Sequence, residues 1–283
     1  MSWNDKYWDT LDQIYWTPDY VGLRPVRPMS DPSRPDVLIL PRSDVPSGNS
    51  LYTRSIKSKD MAAHLHRREE TLNHVLDIGL AIAPDALLNL LVANPLGFED
   101  DGPYESIGRE VDQRFGITEN AFQQDGFFVS NRSALAIEIK LKSSSSPEQV
   151  LKYALMLAME EAITGQRENI GLLYVVPSGT EDDLWRGCGL DGPRMRPDLI
   201  ELVRSRKMPG ALQRLLEPRE GQVRDLMDRM NLACVSWTWV RDKIVTVEAG
   251  LNNADPGQQC YGRLLLGMRR QIEAHADTGI MPD

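Results

Sequence analysis

The chain has 283 residues, enough to bury a substantial core, and its 41% hydrophobic and 26% charged residues are ordinary for a globular protein. A formal net charge of −9 argues against a general phosphate-binding surface, so any contact with nucleic acid must be local. The three cysteines, Cys188, Cys234 and Cys260, are too few and too scattered for a disulfide framework or a thiolate metal site. No apolar run reaches membrane-spanning length, and the start, MSWNDKYWDT, lacks the pattern of a signal peptide, so a cytoplasmic protein with reduced cysteines is expected.

In chain order, residues 1–58 read as an extended arm. The prolines of RPVRPMSDPSRPD break helices, and only DVLIL suggests a short strand. Trp3, Tyr7, Trp8, Tyr15 and Trp16 suit packing on the chain's own core or on a sister subunit, with stacking on bases as the alternative. The spacing of KDMAAHLHRREETLNHVLDIGLAIA predicts a helix, and PDALLNLLVANP a second one with Pro84 at its start. ESIGREVDQRFGITENAFQQDGFFVS predicts strands separated by turns at Gly116 and Asn120. ALAIEIKL is a strand, SSSS a loop, PEQVLKYALMLAMEEAITG a strong helix and NIGLLYVVP an apolar strand. Beyond Gly179 follow a loop, Arg-rich helices whose interleaved acids suit a solvated, ion-paired surface, a strand at ACVSWTWV and a last helix at YGRLLLGMRRQIEAHA. The expected fold class is α/β, a mixed central sheet flanked by helices, with an N-terminal arm (1–58), a core (59–178) and a mostly helical C-terminal extension (179–283).

The chemistry gathers around ALAIEIKL. Successive strand side chains alternate between faces, so Glu138 and Lys140 share one face while Ile137, Ile139 and Leu141 take the other. Asp125, before Gly126, opens the preceding strand. Two carboxylates on neighbouring strands can share a hard divalent cation, and a lysine beside them can offset negative charge developing on a phosphoryl group. On the following helix, Gln149 and Tyr153 are four residues apart and lie on one face. Ser146 and Gln149 also match an S-x-x-Q capping box, which would account for Gln149 without any role in a site.

D-G, then E-I-K closing an apolar strand, then Q-V-L-K-Y, resembles the PD-(D/E)XK nuclease superfamily, and among its members the RecB-type and lambda-exonuclease-like branches. The resemblance spans about residues 60–177 and departs from the pattern at Gln124, where the family has Pro. It implies a restriction-endonuclease-like core, Asp125 and Glu138 as ligands of Mg²⁺ or Mn²⁺, Lys140 as the catalytic lysine, and Gln149 and Tyr153 lining the site. A further acid is expected from the first helix. The family register, with a His four residues earlier, selects Glu70 after His66. The apolar stripe of Leu65, Leu72 and Leu76 selects Glu69 instead. Glu110 and Asp112, read as part of another strand, are supplementary candidates. The implied activity is metal-dependent hydrolysis of phosphodiester bonds, most readily in DNA, in a bacterial or phage setting of restriction, defence or repair. A homodimer or a partner subunit suits the aromatic arm. The competing expectation is a non-cleaving scaffold that binds a protein partner, which the acidic charge favours.

Overall fold

The computed structural model describes residues 30–31, 34–41, 53–57, 69–100, 102–108, 111–117, 122, 124–141, 145–275 and 278–280. Within the arm, β1 (Ser30–Asp31), β2 (Arg34–Pro41) and β3 (Thr53–Lys57) form an antiparallel sheet in that order. The arm therefore carries more regular structure than a single short strand at DVLIL. The arm's aromatics, together with His64, His66 and Glu110, lie outside the described residues, as do the side chains of Glu69, Glu70 and His74.

The main sheet contains β4 (Glu105–Ser106), β5 (Gly126–Val129), β6 (Ser133–Ile139), β7 (Asn169–Val176) and β8 (Asn231–Ser236), paired in that order. Pairing is antiparallel from β4 to β6 and parallel from β6 to β8, so the sheet is mixed and helices flank it. Its last strand comes from the C-terminal third of the chain.

The helix between β6 and β7 is α4 (Pro147–Thr164); before it come α1 (Glu69–Ala81), α2 (Asp85–Leu88) and α3 (Val111–Arg114). Ser146 caps α4 by accepting from the Gln149 N–H at 3.3 Å, Pro147 occupies its first turn, and Gly165 ends it at φ +90°. Helices α5 (Glu181–Cys188), α6 (Leu199–Ser205), α7 (Gly210–Leu216) and α8 (Glu220–Met227) then pack over α4. Covered by the sheet on one side and these helices on the other, α4 is apolar nearly all the way round. The opposite face is covered by α1 with α9 (Trp237–Ala249) and α10 (Pro256–Ala274).

Side-chain alternation assigns the strand residues to these two cores. Ala134 and Ala136 of β6 pack toward α4, whereas Leu135, Ile137 and Ile139 pack toward α1, α9 and α10. All seven residues of β6 are buried, because a strand inside a sheet with helices on both faces has no solvated side. Glu138 therefore lies in the interior, on the α4 side, and not on an open face.

Three local expectations change. The VDQ of REVDQ is helical at α3, not a strand, and the Arg114 guanidinium donates to both oxygens of the fully buried Glu160 at 2.7 Å each, fastening that turn onto α4. The segment after Pro84 is one continuous coil of three geometries, α2 followed by a π turn (Asn89–Ala93) and a 3₁₀ turn (Asn94–Leu96). The strand at ACVSWTWV ends at Ser236, whose side chain caps α9 by accepting from the Trp239 N–H at 3.1 Å. From Trp237 the chain is helical, and nothing in the sequence reading anticipated α9. Among the described residues, no helix is long and apolar enough to cross a membrane.

Candidate active site

The parallel strands β6–β8 end at one edge of the sheet, and β5 begins there because Gly126 pairs with Ile137 in antiparallel register. That edge, outside the carboxyl ends of parallel strands, is where α/β sheets commonly bind ligands. Asp125 lies immediately before β5, Glu138 one residue from the end of β6, and Lys140 just beyond it.

Among the described residues, the Ile139 N–H and the Asn73 amide hold Asp125. The Ile139 N–H donates to Oδ2 at 2.7 Å, which ties the Asp125 carboxylate to the backbone next to Glu138. The Asn73 amide, from α1, donates to Oδ1 at 2.6 Å. Asn73 is nine-tenths buried, and its own Oδ1 is buried with no hydrogen-bond partner among the described residues.

Glu138 is 2% exposed and has three partners. The Lys140 ammonium pairs with Oε1, the Gln149 side-chain amide donates to the same oxygen at 3.1 Å, and the Tyr153 hydroxyl meets Oε2 at short range. A buried carboxylate requires this kind of compensation, since desolvation otherwise disfavours its charged form by several kcal/mol. Burial, then the negative fields of Glu138 and Asp125, push the Tyr153 phenol well above its usual range, so it stays protonated as a donor. Tyr174, opposite Glu138 on β7, is raised in the same direction by burial, with Cys188 and Glu138 adding to it.

Lys140 is positioned through its backbone. Its N–H donates to the Val175 carbonyl at 2.8 Å, and its carbonyl accepts from the Trp237 indole at 3.0 Å. Trp237 is fully buried at the start of α9, so the C-terminal third reaches directly into the site.

Asp125, Glu138, Lys140, Gln149 and Tyr153 thus come together. The capping box and the site role of Gln149 coexist: its backbone satisfies the cap while its side chain reaches Glu138. Glu69 and Glu70 open α1, and the residue of that helix seen at Asp125 is Asn73, three positions after Glu70 and four after Glu69. A search for acids alone passes over it, although its place on the stripe with Leu72 and Leu76 was readable. Asp112 accepts from the Phe122 N–H at 3.2 Å. Lys152, which the sequence reading also passed over, is half-buried on α4 beside Tyr153.

Comparisons with protein-family models, with curated proteins and with solved structures find no match to this chain.

The group implied by the resemblance is a hard divalent cation, and the donors can be tested against it. Among the described residues no group of three or more His, Cys, Asp and Glu side chains is arranged to hold a metal ion. Asn73, whose amide reaches Asp125, offers one neutral oxygen donor at that carboxylate, since a half-turn of the amide exchanges its N–H₂ for Oδ1 there. An all-oxygen set of this kind suits Mg²⁺ or Mn²⁺, with water completing the coordination.

Proposed function

We propose that the chain is a metal-dependent phosphodiesterase acting on nucleic acid, most readily DNA, built on a restriction-endonuclease-like core. One observation carries this reading: at the carboxyl edge of the sheet Asp125 is tied to the Ile139 N–H, next in the chain to Glu138, whose carboxylate pairs with Lys140 and is held by Gln149 and Tyr153. A structural ion pair alone would not require a second carboxylate, tied to the adjacent backbone, from the neighbouring strand.

In this reading Asp125 and Glu138 hold Mg²⁺ or Mn²⁺, with the Asn73 amide as a neutral neighbour. When bound, such an ion polarises a phosphoryl oxygen and lowers the pKa of its water. Lys140 supplies positive charge where the phosphoryl group gains negative charge, and its low exposure makes that charge more effective than it would be in water. Gln149 and Tyr153 fix the Glu138 carboxylate in one orientation, which limits reorganisation during reaction. Trp237 and Val175 hold the Lys140 backbone.

A second reading, a non-cleaving scaffold, is favoured by the same compensation. Both oxygens of Glu138 are satisfied within the chain, as in a purely structural buried pair. The net charge of −9 also suits a protein partner better than a polyanion.

The test is incubation with supercoiled plasmid and with linear single- and double-stranded DNA, in Mn²⁺ or EDTA, beside Asp125→Asn. Cutting that needs the metal and disappears in the variant supports the nuclease. A wild-type protein that cuts nothing, and whose melting temperature does not respond to Mn²⁺, refutes it and leaves the scaffold.

A further inference from the structure

We infer that Lys152 is a second cation of this site, one that contacts a phosphate oxygen of the bound nucleic acid rather than serving the fold. The inference rests on the nuclease reading above and names a substrate-contacting residue within it.

The placement follows from helix geometry. On α4, Gln149 and Tyr153 project toward Glu138, and Lys152, three residues after Gln149, lies on the flank of that face on the Gln149 side. On that flank it shares its surroundings with Asp112 of α3, a turn that the Arg114–Glu160 fork fastens to α4. Lys152 is half-buried, yet its ammonium makes no hydrogen bond or ion pair with a described residue. This is unusual for an ammonium that has lost part of its hydration. Burial lowers its proton affinity, Glu138, Asp112 and Asp125 act to raise it, and Lys140 acts with burial. The side chain is therefore close enough to the site to feel each of its charges while pairing with none of them.

A lysine kept for stability alone would close onto one of these carboxylates. Glu138 is already occupied by Lys140, Gln149 and Tyr153, and Asp125 by Asn73 and the Ile139 N–H. An unpaired, partly desolvated cation beside them is poised for an anion that arrives from outside.

The experiment compares wild type, Lys152→Gln and Lys152→Arg. Binding of a labelled duplex oligonucleotide is followed by fluorescence anisotropy in Ca²⁺ over a range of salt, and cutting is followed in Mn²⁺. Loss of one phosphate contact should make the slope of log affinity against log salt shallower by about 0.9, so that affinity falls ~3.5-fold less between about 50 and 200 mM salt. Lys152→Gln should show this shallower slope with weaker binding and slower cutting, while Lys152→Arg keeps the wild-type slope. The melting temperature of Lys152→Gln should equal or exceed that of wild type. A Lys152→Gln protein that binds and cuts with wild-type slope and rate overturns the inference and leaves the nuclease reading standing. One that fails to fold also overturns it, by showing that the ammonium serves the fold. If wild type itself neither binds nor cuts any duplex, the nuclease reading fails, and this inference with it.

Discussion

Removing the charge of Lys140 should reveal how tightly the site is coupled. Glu138 is 2% exposed, and its carboxylate is met by one ammonium and two neutral donors. Breaking a buried pair by deleting one partner costs about 3–5 kcal/mol, because the other charge is left without compensation. In Lys140→Met the Gln149 and Tyr153 donors remain, and hydrogen bonds to a charged group are worth about 1.5–3 kcal/mol each, so the loss should fall near the lower end, about 3 kcal/mol. In Glu138→Gln the Lys140 ammonium loses the Glu138 carboxylate but keeps 17% exposure and can turn toward water, so the loss should be smaller, about 1–2 kcal/mol. The double variant, with neither charge left to strand, should lose less than the two single changes together, by about 1–3 kcal/mol.

Urea unfolding of all four proteins in EDTA measures this cycle, with equal slopes as the check that the same surface is exposed. Repeating it in Mn²⁺ adds the functional arm. An ion held by Asp125 and Glu138 stabilises the folded state by about 2.7 kcal/mol at a hundred times its dissociation constant. The gain should be largest in Lys140→Met, where a cation replaces the lost charge, and smallest in the double variant. Single-variant losses that add to within about 0.5 kcal/mol would refute the coupling. A Mn²⁺ response identical in all four proteins would refute the assignment of Glu138 to the cation.

Two further expectations come from groups around the site and at the other end of the sheet. Burial alone would raise the Asp100 carboxyl, but the Ser130 and Ser133 hydroxyls, the Gly102 N–H and Arg132 outweigh it and hold it below 3.8. A depressed folded value contributes stability that is present above the unfolded pKa and lost as pH falls through the folded one, so wild type should lose stability below about pH 4. Asp100→Asn should be less stable at neutral pH and show a flatter acid limb, as read from urea midpoints; parallel curves for the two proteins would exclude this account. Trp237→Phe should strand the Lys140 carbonyl and cost about 1–3 kcal/mol, with slower DNA cutting. Wild-type stability and rate in that variant would show that the indole hydrogen bond does not hold Lys140.

Much of the architecture was legible along the chain. The alternation of ALAIEIKL, the Ser-Pro start and Gly end of the helix over 147–164, and the apolar run NIGLLYVV are local patterns, and each became the expected element. The same periodicities brought Glu138 and Lys140 to one side of a strand and Gln149 and Tyr153 to one side of a helix, because side-chain direction depends only on the spacing of residues within an element.

What local periodicity could not contain was decided by packing. The burial of Glu138 depends on helices covering both faces of β6, and one of those layers comes from residues far along the chain. The hydrogen bond of Asn73 to Asp125 joins residues 52 positions apart, and that of Trp237 to the Lys140 carbonyl joins residues 97 apart. No spacing rule reaches across such distances. Val111–Gln113 and Trp237–Val240 differ from the strands expected there for a related reason: a few β-tolerant residues carry little preference of their own, and a fork onto Glu160 and a serine cap settled them as helix. The sequence by itself determined which chemical groups each element presents. The tertiary structure determined which of them meet, how deeply they are buried, and that Lys152 has no partner within the chain among the described residues, since contact and desolvation arise only when distant elements pack together.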